Sequence, residues 1–152
     1  MRVAVIPLAL LAAACGKATE APPSAAPTSA TSSTVASLAG EWRVAGIDGQ
    51  PLDEAYGIAL SGSATELWWD PRCAGMARSY RIRNGAIAFG PVPINGKPPA
   101  PGSPPPPVCT VPLPPRLGEV FAALDAARTV ERTPANGVLI AGGGRSVLLF
   151  SQ

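Results

Sequence analysis

Cys15, Cys73 and Cys109 are the side chains of this 152-residue sequence that most restrict its chemistry, because they stand in a chain with no histidine. Without an imidazole, Ser-His-Asp and Cys-His nucleophilic catalysis, His-ligated zinc and the usual proton shuttle near neutral pH all lack their central group. A catalytic or metal-binding cysteine pair would need that histidine or a third ligand. The acids Asp48, Asp53, Glu54, Glu66, Asp70, Glu119, Asp125 and Glu131 show no spacing that selects a general acid and base. Two-carboxylate glycosidase chemistry stays formally open, with nothing in its favour. Gly142 to Gly144 precede Arg145, but neither a helical pattern nor a Lys-Ser/Thr pair follows, so they read as a hairpin turn rather than a phosphate loop. These absences lead to a non-enzymatic reading with no cofactor and no metal.

Binding is then the remaining kind of chemistry, and two features bear on it. Trp68 and Trp69 are adjacent in a strand-like run, so they point to opposite faces and one of them is left accessible, either as a stacking platform or packed under a loop. Between Asp70 and Glu119 there is no acid, while Arg72, Arg78, Arg81, Arg83, Lys97 and Arg116 all fall there. Trp68, Trp69, Arg72, Arg81 and Arg83 therefore make a candidate binding surface; the alternative is a solvated face balanced by acids elsewhere in the fold. The formal charge is +2, from 12 Lys and Arg against 10 Asp and Glu, and lacks the basic excess expected of a nucleic-acid binder.

The elements that must hold these residues begin with a leader. Residues 1–14 carry Arg2, an apolar run from Val3 to Ala14 and small residues directly before Cys15, the layout of a signal peptide. The run is well short of the roughly 20 residues that a membrane-spanning helix needs. Leu11-Ala12-Ala13-Ala14-Cys15 resembles a bacterial lipobox, with Leu11 one place further out than the commonest pattern. The resemblance implies that Cys15 carries a diacylglyceryl thioether and becomes the mature N-terminus; an inert Cys15 in an ordinary secreted protein is the alternative. Gly16, rather than Asp, after the cysteine implies outer-membrane sorting with the domain facing the periplasm. Lys17 to Ala36, rich in Ala, Ser, Thr and Pro, reads as a disordered tether reaching about 25 Å when coiled and about 70 Å when stretched. The expected organisation is a signal peptide at 1–14, a lipidated cysteine and tether at 15–36, and a folded domain at 37–152 with a proline-rich loop at 91–115. With Cys15 lipidated, Cys73 and Cys109 remain as an even pair in an exported domain, and a disulfide is the natural reading beside two free buried thiols.

With 19 Pro, 16 Gly and 5% aromatic residues, the folded part should be short strands and turns rather than a helical bundle. Alternation predicts strands at Glu41 to Ile47, with Trp42, Val44 and Gly46 on one face, at Gly57 to Ser61 and at Thr65 to Asp70. "ARSYRIRNGAIAFG" predicts a hairpin about Asn84-Gly85, with Tyr80 and Ile82 on one face and Arg81 and Arg83 on the other. The proline-rich segment cannot join a sheet, and Pro104 to Pro107 favour polyproline II. A helix at 116–128 should turn Leu117, Val120, Phe121 and Leu124 to the sheet. Strands at Thr129 to Thr133, Val138 to Ala141 and Ser146 to Phe150 complete an α+β domain, a mainly antiparallel sheet or partly closed barrel of about eight short strands with one helix packed on it.

This order resembles the META-domain family of HslJ-like heat-shock envelope lipoproteins. "LAGEWRV" matches the family's opening Leu-x-Gly-x-Trp strand, "DPRCAG" its mid-chain cysteine motif and Cys109 its later cysteine; "FAAL", "GVLI" and "SVLLF" match its helix and last strands. Arg72 and Ala74 stand where the family has Gly and Asn, and the proline insertion is atypical. The resemblance implies a membrane-anchored protein serving envelope maintenance or stress tolerance by binding an envelope protein or a small ligand. The alternative function is inhibition of an envelope hydrolase.

Overall fold

A computed structural model of the chain describes residues 34–152, apart from 95, 98, 103 and 105–107. The leader, Cys15, the tether up to residue 33 and the polyproline reading at Pro105 to Pro107 lie outside the described residues. The strands are β1 (Gly40–Ile47), β2 (Gln50–Pro51), β3 (Ala59–Gly62), β4 (Glu66–Trp68), β5 (Ala77–Arg83), β6 (Ala86–Gly90), β7 (Thr129–Arg132), β8 (Val138–Gly142) and β9 (Arg145–Ser151). Among the described residues one helix, α1 (Leu117–Ala126), and a 3₁₀ turn at Arg72–Ala74 interrupt them. Neighbouring strands pair antiparallel, and β1 pairs with both β3 and β9, so eight strands close a barrel with the two-residue β2 added beside β1. The expected α+β architecture, mainly antiparallel with one helix, is the observed one.

Local chemistry explains the turns. Asn84 and Gly85 have φ of 50° and 77°, and Asp48 and Gly49 have φ of 54° and 76°, the pairs of positive values that a two-residue hairpin loop requires. Tyr80 is buried and Ile82 packs on the core, while Arg81 and Arg83 are exposed, as the alternation predicts. In β1 the alternation fails after Val44. Val44 pairs with Leu149 but Gly46 pairs with Leu148, so Ala45 is the extra residue of a bulge. The slip turns Ile47, opposite the buried Val147, into the core in place of Gly46.

The segment before β1 is part of the fold. Leu38 is fully buried; its N–H donates to the Tyr80 hydroxyl at 2.7 Å, and its carbonyl accepts from Trp42 Nε1 at 2.7 Å. The Tyr80 hydroxyl in turn donates to the Ser63 carbonyl at 2.7 Å. Val35 is 1% exposed and belongs to the core, so the boundary at 36/37 is corrected: the folded domain begins no later than Val35.

β6 and β7 share a single ladder pair, Ala86 with Thr129, and α1 packs where the two strands diverge, touching β6, β8, β9 and β1. Leu117, Val120, Phe121 and Leu124 are all buried, as the 3.6-residue period predicts, and Ala123 joins them. The helix is shorter than the expected 116–128. It begins after Arg116, whose φ is 64°, and ends at Ala126 because the Arg128 N–H is drawn into the β7–β8 ladder, donating to the Ala141 carbonyl at 2.7 Å. Gly142 permits that closeness, since a Cβ there would stand 2.6 Å from the Ala126 carbonyl oxygen. Among its described residues the connection from Pro91 to Pro115 carries no strand, only an isolated bridge between Ile94 and Lys97.

Candidate binding site

The proline-rich connection is fastened at two places. Near its start, the Ser79 hydroxyl donates to the Pro91 carbonyl at 2.9 Å. Near its end, Cys109 is joined to Cys73 by a disulfide, and the Cys109 N–H donates to the Cys73 carbonyl at 2.8 Å. Cys73 sits in the 3₁₀ turn, which closes at Gly75 with φ 74°; a Cβ there would meet Val108 at 3.2 Å. Between these fastenings Pro91, Val92, Ile94 and Pro99 form a strap that, with Gly75 and Ala77, lines an open cleft of about 540 Å³.

Three ionisable side chains are among those lining the cleft: Arg72, Arg78 and Asp125. Asp125, at the end of α1, grips Arg78 through two parallel bonds, Nε to Oδ1 at 2.6 Å and Nη2 to Oδ2 at 2.8 Å. Arg78 Nη1 also donates to the Ala77 carbonyl at 2.9 Å, and the guanidinium lies 5.3 Å from the Phe121 ring centroid. The hydrogen bond that Arg78 donates to Asp125 holds Arg78 above its ordinary pKa, against the opposing effect of burial. Arg72 is built differently: its guanidinium lies over the Trp68 ring, 4.5 Å from the centroid, and Nη2 pairs with Glu66. Trp68 Nε1 donates to Asp70 at 3.1 Å, and the other oxygen of Asp70 lies 2.9 Å from the Ser61 hydroxyl. That hydroxyl is also 2.7 Å from Glu41. Trp68 and Glu66 thus brace Arg72 at the edge of the cleft.

The structure divides the expected binding surface. Arg72 lines the cleft with the Trp68 ring beneath its guanidinium, whereas Trp69 packs against the core. Arg81 and Arg83 stand opposite Ala88 and Ala86 on the hairpin, do not line the cleft, and make no ion pair among the described residues. The grouping of five residues as one surface is therefore corrected, because Trp68 and Trp69 lie on opposite faces and β5 carries its outward arginines away from the 3₁₀ turn. The reading of balanced charge holds for Arg72, Arg78 and Arg116, which pair with Glu66, Asp125 and Glu119. The sequence reading named Arg78 and Asp125 without joining them to a site, and Ile94 escaped it. Arg78 sits in the acid-free run, but nothing local joins it to an acid 47 positions away.

Among the described residues no cluster of three or more Cys, Asp or Glu is placed to hold a metal ion. Comparison with protein-family models, with curated proteins and with solved structures finds no match.

Proposed function

We propose that this chain is an exported, lipid-anchored envelope protein of META-domain kind that acts by binding, without enzymatic turnover, at the cleft under its proline-rich strap. The observation that carries the reading is the Cys73–Cys109 disulfide, which fastens the strap beside the cleft. Disulfides of this kind persist in oxidising compartments, which supports export, and a strap tied at both ends keeps a cleft formed in the absence of ligand. The third cysteine, Cys15, occupies the lipobox-like position in the sequence and is left for the diacylglyceryl group. The tether then lets the domain work at a distance from an outer membrane on its periplasmic side, in envelope maintenance or stress tolerance.

Palmitate labelling tests the anchor. Wild-type chain should take the label and stay with membranes, and Cys15→Ala should lose both; a labelled Cys15→Ala variant, or an unlabelled wild type, rejects it. The competing reading, an inhibitor of an envelope hydrolase, is favoured by the exposed Arg81 and Arg83, which lack an ion-pair partner among the described residues. It predicts one stoichiometric enzyme recovered with the wild type and lost with Arg81→Ala/Arg83→Ala.

A further inference from the structure

We infer that the cleft under the strap takes a small amphipathic carboxylate, an apolar body ending in a carboxylate group, and that Arg72 receives the anion. The inference rests on the binding reading above and assigns it a ligand class.

The walls favour the apolar body. Pro91, Val92, Ile94 and Pro99 present aliphatic surface, and Ile94 remains 47% exposed in the open cleft. The volume falls within the range of roughly 300–1,000 Å³ typical of small-molecule sites.

The polar groups favour an anion. Asp125 is the one acid among the described lining residues, and both of its oxygens are taken by Arg78. What the lining still offers is N–H. The Arg72 guanidinium makes one hydrogen bond among the described residues, from Nη2 to Glu66, so Nε and Nη1 are left to donate. Its side chain is 48% exposed yet braced by the Trp68 ring, so little rotamer freedom is lost when it pairs with a ligand. The open groups discriminate, because the one lining acid is already paired: a carboxylate gains charge-assisted bonds from Arg72, an alcohol gains weaker ones, and an ammonium finds no unpaired acid among the described lining residues. The acid-free run noticed in the sequence supplies the strap, the 3₁₀ turn and the start of β5, so most of the wall repels no anion.

The test uses the chain from residue 15 onward with Cys15→Ser, which removes the lipid but retains the whole core from Val35 to Leu149. It is titrated with octanoate, octanol and octylamine, read by calorimetry and by tryptophan fluorescence, since Trp68 lies under Arg72. Octanoate should bind at least about tenfold more tightly than either analogue, the discrimination expected of a hydrogen bond to a charged group. Arg72→Gln should bring octanoate to within about twofold of octanol while Arg81→Gln leaves it unchanged, because Arg81 lies outside the cleft. Ile94→Glu, a change at an exposed strap position, should abolish octanoate binding. Equal affinities for the three ligands, no octanoate binding at concentrations on the order of millimolar, or an Arg72→Gln variant that binds like wild type overturns the inference. Loss of palmitate labelling with octanoate binding intact would instead overturn the anchor alone.

Discussion

Replacing both cysteines of the disulfide, as Cys73→Ser/Cys109→Ser, gives the sharpest test of how the domain is held together. The two residues are 36 apart in sequence, and the chain between them contains the β5–β6 hairpin and most of the proline-rich connection. The hairpin is held in the barrel by its own ladder, with Arg81 opposite Ala88 and Ile82 opposite Ile87. The connection buries little, its described side chains from Pro91 to Pro115 being exposed or half-buried. The cross-link therefore acts mainly on the unfolded chain. On chain-entropy grounds a loop of this length contributes about 4 kcal/mol at 25 °C. For a domain of about 120 residues, with an unfolding entropy near 2.1 cal/mol/K per residue, that is a fall of about 15 °C in Tm. Thermal unfolding followed by circular dichroism, with and without reductant, measures it. Reductant should lower the wild-type Tm to that of the double variant and leave the variant unmoved. A shift below about 3 °C would refute the reasoning, since it would mean that the unfolded chain is not appreciably constrained by the bond.

Three further outcomes follow from contacts already described. Tyr80→Phe removes the hydroxyl that accepts from the buried Leu38 N–H and donates to the Ser63 carbonyl, and should cost about 1–3 kcal/mol in urea unfolding. Val35→Ala should cost about 1–2 kcal/mol, whereas no measurable change would return the domain start to residue 37. Asp125→Asn weakens the paired grip on Arg78 and should cost no more than about 1 kcal/mol at neutral pH, because the Asp125 side chain is 46% exposed and the pair is screened. The raised pKa of Arg78 keeps its contribution present through neutral and mildly alkaline pH, to be lost only as pH rises through that raised value. Unfolding curves of wild type and Asp125→Asn should therefore keep a constant separation from pH 6 to about pH 10.

Much of the fold was legible because it depends on neighbours in sequence. Asn84-Gly85 and Asp48-Gly49 dictate their turns through positive φ, alternation assigns Tyr80 and Arg81 to opposite faces, and the spacing of Leu117, Val120, Phe121 and Leu124 fixes the buried side of α1. The cleft was only partly legible. Trp68 and Arg72, four residues apart across a tight turn, could be singled out together, but Ile94 reaches the site through a loop with no periodicity to read.

What the sequence by itself determined is the chemistry that is excluded and the material that remains: no histidine, an acid-free run from Pro71 to Gly118, and a proline-rich stretch that cannot enter a sheet. Local patterning also sufficed for an antiparallel α+β domain with one helix. Tertiary structure decided what pairs across distance. The bulge at Ala45 exchanged Gly46 for Ile47 because β1 had to meet β9 in register. Val35 entered the core because Leu38 is pinned through Tyr80. Asp125 came to neutralise Arg78 and leave Arg72 as the open donor because α1 ends beside the start of β5. Hydrophobic period and turn type act over a few residues, whereas an ion pair or a cleft wall depends on where closure of the barrel carries residues far apart in the chain.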